Sequence, residues 1–313
     1  MKHFYRRFGQ ALIAVSAVYF IWFLIDNAES LHILNWDVRT CMSLTCATAI
    51  YSIVLLLGAC TWSIFLHGSG PSFRLADAFK VFFISQFAKY VPGNVAHHLG
   101  RIALAREHEL RIPQVVLTTV LESGWVIFAG AFIILVSFLS HGFIFSQETA
   151  QLPHIWKLGL LVGCGLILPL LGVWFLTHWG PPLLKKITGY EEFVVPSILI
   201  FLICFVLYLL AFLLLGLAVY VLLEGAFQSS NASYWRTTSI FCLAWVAGFI
   251  TPGAPAGLGI REALLISLLT PIHGAGIALG ATILLRLVTT LGDGMAFAAA
   301  LFARRKGQRE LST

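Results

Sequence analysis

The feature that most constrains this sequence is a series of apolar stretches, each about as long as the core of a lipid bilayer is thick. A membrane-spanning helix needs about 20 apolar residues. Six stretches meet this need: 9–25, 43–66, 117–139, 158–177, 194–223 and 275–303. Charged residues are only 11% of the chain, against about 25% in soluble domains. The sequence therefore predicts an all-α, multi-pass membrane protein with about six full transmembrane helices.

Two further apolar regions, 78–105 and 235–269, are interrupted near the middle by proline and glycine. Against lipid, a helix break would leave backbone N–H and C=O groups without partners, so each break must face protein or a wet cavity. These two regions predict broken, re-entrant helical hairpins rather than straight crossings.

The two interruptions resemble each other in sequence. They read "VPGNVAHHLGR" and "TPGAPAGLGIRE", and each has an arginine nine positions after the proline, Arg101 and Arg261. Matching breaks are typical of inverted-topology repeats, although two Pro-Gly turns could also match by chance. We expect one membrane domain, 1–313, with possible inverted repeats at 43–139 and 194–303. The residues expected to shape the cavity are Pro92, Gly93, Pro252, Gly253, Gly257 and Gly259.

Basic residues predict the orientation of the chain in the membrane. Lys and Arg cluster before the first apolar stretch, after the last one, and between the fourth and the fifth, whereas segments 26–38, 140–154 and 224–235 contain few. The positive-inside rule then places both termini in the cytoplasm. In this arrangement the two broken hairpins enter an inner (cell) membrane from opposite faces. The net charge of +6 need not mean nucleic acid, because basic residues gather on the cytoplasmic side of a membrane protein, and we expect no nucleic-acid partner.

Several ionisable residues lie within or beside the apolar regions. Each costs at least about 2.5 kcal/mol at the centre of a bilayer, so each should face the bundle and find a partner. A helix that begins after a break presents free N–H groups, which favour an anion such as phosphate. The predicted substrate-binding residues are Arg101, Glu122, Arg261, Glu262 and Arg286. Alternatively, these ions, together with Asp293, only lock helices to one another.

The sequence offers little material for covalent or metal chemistry. It contains no GxSxG elbow, P-loop or HExxH motif, and its six cysteines include no CxxC pair. His97 and His98 could titrate near neutral pH, but a histidine with a structural role is the commoner case. We therefore expect no catalytic residue, no metal and no cofactor.

The sequence resembles the lysylphosphatidylglycerol synthase transmembrane family, whose members are also described as flippase-like. The resemblance rests on "FAKYVPGN", "LGR" and "ARE" with Glu122 downstream, and on "TPGAPAGLGIREALLISLL" followed by "LLRLVTTLGDG". It implies a bacterial or archaeal protein. In bifunctional relatives the membrane part moves an aminoacylated phospholipid, which a separate soluble domain makes. Because the chain ends soon after Arg309, we expect a stand-alone member without the aminoacyltransferase domain. His97 and His98 stand where relatives often have small residues, which leaves the headgroup open.

The expected function is that of a lipid translocase, or of an accessory to one. Its substrate would carry an anionic or phosphate-bearing headgroup, as in a modified phospholipid or a polyprenyl-phosphate-linked sugar. Two alternatives remain open: a membrane-embedded transferase acting on a lipid-linked donor, and a non-catalytic partner of a separate lipid- or glycan-modifying enzyme.

Overall fold

The computed structural model describes residues 36–70, 73–90, 96–107, 110–141, 194–229, 231–251 and 259–310, with the single residues 171 and 174. Within these residues the chain is helical and contains no strand, which confirms the all-α prediction. The helices are α1 (Val38–Gly68), α2 (Leu75–Phe87), a 3-10 turn (Ala88–Tyr90), α3 (Ala96–Glu107), α4 (Ile112–His141), α5 (Ile198–Gly225), α6 (Tyr234–Ile250), α7 (Ile260–His273) and α8 (Ala275–Glu310).

Four of these helices are long and apolar enough to cross a membrane. They are α1, α5, residues Ile112–Ser137 of α4 and residues Ala275–Ala303 of α8. The protein is thus a multi-pass membrane protein. The predicted spans 9–25 and 158–177 lie outside the described residues, apart from Leu171 and Trp174.

One predicted span begins later than the sequence suggested. The apolar stretch starts at Val194, but residues 194–197 are not helical and α5 begins only at Ile198. The reason is Pro196, which has no N–H to donate and disfavours a helical conformation in the residue before it. The capping residue Ser197 is extended, with φ −65° and ψ 156°.

Both interrupted regions are broken helices, as predicted. In the first, α2 ends at Phe87, the 3-10 turn follows, and α3 begins at Ala96. In the second, α6 ends at Ile250 and α7 begins at Ile260. Of the glycines and prolines expected to shape the breaks, Gly259 is described, whereas Pro92, Gly93, Pro252, Gly253 and Gly257 lie outside the described residues.

The helix contacts are equivalent for the two halves of the chain, α1–α4 and α5–α8. The helix α1 packs along α5, α4 packs against α6, and α8 packs against α2. Exchanging α1–α4 for α5–α8 therefore reproduces the same set of helix contacts. This is the arrangement that repeats at 43–139 and 194–303 would produce, and the repeat itself stays a prediction.

Small residues allow close helix contacts. A Cβ atom on Gly216 of α5 would lie 2.1 Å from the Oγ1 atom of Thr238 on α6. Close backbone approach at small residues is the usual way helices associate in membranes. The contact fixes α6, and with it the start of the second break, against the long α5.

Candidate functional site

A cavity of about 210 Å³ lies between the helices, and all eight of them contribute to its lining. Its charged lining residues are Lys89, Arg101, Glu122, Arg261 and Arg286, together with the two histidines of α3. Much of the remaining wall is apolar, including Leu55, Val126, Phe212, Leu215, Phe241 and Trp245. The cavity thus combines a cationic region with an apolar one.

Arg101 is held in place from three sides. Its side chain is fully buried on α3, and its Nη1 atom forms an ion pair with Oε2 of Glu122 on α4. Its guanidinium carbon lies 4.7 Å from the ring centres of Trp62 on α1 and Phe82 on α2. Aromatic faces attract a guanidinium group, so this cation is fixed by side chains from three other helices.

Glu262 joins the second break to the final helix. It is the third residue of α7, where a glutamate can bond back to the start of its own helix. Its Oε2 atom accepts a hydrogen bond from the backbone N–H of Gly259 at 2.8 Å. Its Oε1 atom lies 3.6 Å from Nη2 of Arg261 and 3.5 Å from Nη1 of Arg286. A single carboxylate oxygen therefore forms ion pairs with two arginines.

Gly259 itself has a backbone conformation that other residues rarely adopt. Its φ is +86° and its ψ is −53°, and it caps the N-terminus of α7. A residue without a Cβ is favoured there. This conformation presents the Gly259 N–H to Glu262 and so helps to orient the carboxylate toward the two arginines.

Lys89 is a site residue that sequence analysis missed. Its Nζ atom lies 2.5 Å from Oδ2 of Asp293 on α8 and 3.0 Å from the hydroxyl of Tyr51 on α1. The Tyr51 hydroxyl in turn donates to Oδ1 of Asp293 at 3.0 Å. The available signal was a lysine inside an apolar region, in "FAKYVPGN", since an ionisable residue at membrane depth normally has a partner.

The two histidines of the first broken segment lie side by side at the cavity. The ring centres of His97 and His98 are 3.8 Å apart, and their planes are inclined by 40°. Within the described part of the chain, neither Nδ1 atom has a hydrogen-bond partner. Among those same residues, no group of three or more His, Cys, Asp or Glu side chains is placed to hold a metal ion.

The charges at the cavity do not balance in number. In the described ranges, the cations are Lys89, Arg101, Arg261 and Arg286, and the carboxylates that contact them are Glu122, Glu262 and Asp293. Four cations thus face three carboxylates. Among these described residues, the cations outnumber the carboxylates by one, and such an excess favours an anion.

The predicted substrate-binding residues are placed close to one another. Arg101, Glu122, Arg261 and Arg286 line the same cavity, and Glu262 contacts two of these arginines. Arg286 and Asp293, both on the final helix, have separate partners, Glu262 and Lys89. Whether this set binds a substrate stays a prediction.

Neither the curated proteins nor the solved structures contain a match to this chain. A family model described as "Lysylphosphatidylglycerol synthase TM region" matches residues 9–293. This range includes both broken segments, the cavity and about the first half of the final helix, and it agrees with the resemblance seen in the motifs. The chain therefore belongs to the lysylphosphatidylglycerol synthase transmembrane-region family, a family of membrane proteins concerned with lipids.

Proposed function

We propose that this protein moves a lipid with an anionic or phosphate-bearing headgroup across the membrane, or assists a protein that does. The observation that carries the proposal is the cavity itself. It places cationic side chains from both broken segments beside an apolar wall. A membrane lipid has the same two parts, a polar headgroup and apolar chains.

The cationic region suits the headgroup. Arg261 lies in the first turn of α7, where backbone N–H groups are not used within the helix and the helix dipole is positive. Arg286 reaches the same place from α8 and shares Glu262 with Arg261. Two guanidinium groups beside a helix N-terminus form a favourable environment for phosphate oxygens.

The apolar wall suits the part of the lipid next to the headgroup. Phe212, Leu215, Phe241 and Trp245 line the cavity from α5 and α6. The ring of Trp245 packs edge-on against that of Phe212 at 5.1 Å. A soluble anion would find no polar partner on these side chains, whereas the hydrocarbon part of a lipid can lie against them without exposing apolar surface to water.

The broken segments provide parts that could move. Each is joined to the final helix by an ion pair, Lys89 to Asp293 and Glu262 to Arg286. If the halves of the chain are inverted repeats, rocking of one half against the other would expose the cavity first to one side of the membrane and then to the other. The headgroup would cross while the lipid chains stay in the bilayer.

The test is a transport assay in reconstituted vesicles that contain a fluorescent phosphatidylglycerol. We expect Arg261→Ala and Arg286→Ala to abolish movement of the label between leaflets while both variants still insert and fold. Arg74→Ala is the matched control, since Arg74 is an exposed arginine outside the cavity. Unimpaired transport in both cavity variants would contradict the assignment of Arg261 and Arg286 as headgroup-binding residues.

The same vesicles separate the other candidate functions. A chemically changed lipid, detected by mass spectrometry, would replace the translocase with a transferase. Neither movement nor change, until a lipid-modifying enzyme is added, would support a role as a non-catalytic partner.

A further inference from the structure

We infer that the headgroup recognised by this cavity is a phosphate that carries no amino group, so that the protein discriminates against aminoacylated lipids. The inference deepens the proposed function and rests on it for the role of the site. The observations that carry it are the pairing of the carboxylates, the chemistry of the unpartnered polar atoms and the balance of charge.

The carboxylates at the cavity are already engaged. Glu122 pairs with the buried Arg101, and Asp293 accepts from Lys89 and Tyr51. Glu262 uses one oxygen to cap α7 and the other to contact Arg261 and Arg286. An ammonium group needs acceptors, preferably carboxylates. In the described part of the chain, it would have to compete with a cation of the protein for each of these three acids.

The polar atoms that remain are suited to an acceptor ligand. Among the described residues, the side-chain atoms without a hydrogen-bond partner include the Nε atoms of Arg101 and Arg261, the Nδ1 atoms of His97 and His98, and the hydroxyl of Tyr208, which also lines the cavity. A guanidinium N–H can only donate, a tyrosine hydroxyl can donate or accept, and a histidine nitrogen can donate in the suitable tautomer. Arg101 is fully buried and His97 is 8% exposed, so water is largely excluded from them. Phosphate oxygens would accept from such donors, whereas an ammonium group would add further donors.

The charge balance also favours a phosphate without an amino group. Among the described residues, four cations stand against three carboxylates, and a phosphate would reduce this excess of positive charge. A lysyl ester of phosphatidylglycerol has two ammonium groups and one phosphate, and would bring further positive charge to the cavity. Like charges in a site of low dielectric repel more strongly than they do in water.

The experiment measures binding to the purified full-length protein in detergent, by thermal unfolding in the presence of three lipids with the same single acyl chain. These are lysophosphatidic acid, lysophosphatidylglycerol and the lysyl ester of lysophosphatidylglycerol. We expect the two lipids without an amine to bind at least about tenfold more tightly than the lysyl ester, a difference of about 1.4 kcal/mol. Equal or tighter binding of the lysyl ester overturns the inference.

Inorganic phosphate distinguishes a lipid headgroup from a free anion. It offers the same acceptors without an acyl chain, so we expect it to bind more weakly than lysophosphatidic acid. If inorganic phosphate stabilises the protein as strongly as lysophosphatidic acid at equal concentration, the site takes a free anion and the assignment to a lipid is overturned.

Glu262→Gln tests the role of the shared carboxylate. The amide oxygen can still accept from the Gly259 N–H, but the negative charge between Arg261 and Arg286 is lost. We expect lysophosphatidic acid to bind several-fold more tightly and the lysyl ester no better. A selective loss of lysyl-ester binding would mean that Glu262 receives the amine, and the inference would fail. Asp77→Asn is the control, since Asp77 pairs with Lys80 on α2 outside the cavity.

Because binding is measured without transport, the two ideas can fail separately. If the protein prefers lipids without an amine but moves no lipid in vesicles, the proposed translocase function is overturned and the inference about the headgroup is supported. Movement of the lysyl ester at the rate of phosphatidylglycerol would overturn the inference and leave the translocase.

Discussion

The ammonium group of Lys89 lies 2.5 Å from the carboxylate of Asp293, and this ion pair joins the first broken segment to the middle of the final helix. The Asp293 side chain is fully buried. Charges within a membrane protein need partners, so the pair determines where the end of the 3-10 turn can lie against α8. It therefore helps to place Lys89 in the lining of the cavity.

Removing the acid should destabilise the protein. The carboxylate of Asp293 is fully buried, and in Asp293→Asn the ammonium group of Lys89, whose side chain is 19% exposed, would lose its carboxylate partner. Loss of one partner of a buried ion pair costs about 3–5 kcal/mol. We expect a decrease of this order in the free energy of unfolding, measured by denaturation in detergent micelles.

The control for this prediction is the ion pair between Asp77 and Lys80. It spans 3.3 Å within α2, and its carboxylate is 23% exposed, whereas that of Asp293 is fully buried. Exposed pairs contribute about 0–1 kcal/mol, so Asp77→Asn should have little effect. Equal losses in the two variants would contradict the assignment of Lys89 and Asp293 as a buried pair.

Arg101 should not tolerate replacement by lysine. Its guanidinium carbon lies 4.7 Å from the ring centres of both Trp62 and Phe82, and lysine cannot present a flat group to both rings. We expect Arg101→Lys to lose about 2 kcal/mol of stability, although the charge and the pairing with Glu122 could be kept. Thermal unfolding in detergent measures this, with Lys80→Arg as the reverse exchange at a partly exposed position. Wild-type stability of Arg101→Lys would show that the rings do not hold the guanidinium.

Gly259 and Gly124 make a matched pair of glycines. A Cβ atom added to either meets nothing within 4 Å, but only Gly259 has a positive φ, of +86°. Gly259→Ala should therefore lose about 1–3 kcal/mol through backbone strain. Gly124→Ala, within α4, should gain up to about 1 kcal/mol from helix propensity. Unfolding measurements that gave the same sign for both variants would contradict the backbone conformation at the second break.

Stability should fall in mild acid because of His273, which ends α7 and lies outside the four spanning helices. Burial lowers the pKa of His273 below its usual value of 6.5, and the charge of Arg236 lowers it further. The unfolded chain then binds the proton more readily. Full stability is present above pH 6.5 and is lost as the pH falls toward the lower pKa of the folded state.

The measurement compares the wild type with His273→Gln between pH 7.5 and 5. The Nδ1 atom of His273 lies 2.7 Å from Oγ of Ser229, and glutamine keeps a polar group there without titrating. The difference in unfolding free energy between the two proteins should change with pH, and Arg236→Gln should reduce the change. A difference that is constant with pH would contradict the prediction.

The sequence was sufficient to predict the helical class and the positions of both breaks. Proline and glycine interrupt backbone hydrogen bonding locally, so α2 and α6 end where the local sequence indicates. The same reasoning accounts for the late start of α5 after Pro196. Intramembrane charges predicted four of the cavity-lining residues, because a charge at that depth must turn inward.

The sequence could not show which helices pack together or which charged residues form ion pairs. Apolar residues cover every side of a helix such as α5, so its sequence does not show which side packs on α1. The pairing of Glu262 with Arg286, or of Lys89 with Asp293, depends on this packing. Orientation in the membrane and the internal repeat stay predictions, since the described residues carry no marker of the membrane's two faces.

The aromatic rings beside Arg101 have a consequence for how cargo would leave. Trp62 and Phe82 each lie 4.7 Å from its guanidinium carbon, and the Glu122 carboxylate pairs with it, so this cation is fixed in position. The cationic surface that would attract a negative ligand is therefore part of the helix packing and does not withdraw on its own. Departure must come instead from a change of shape that lets water or competing ions reach the bound group.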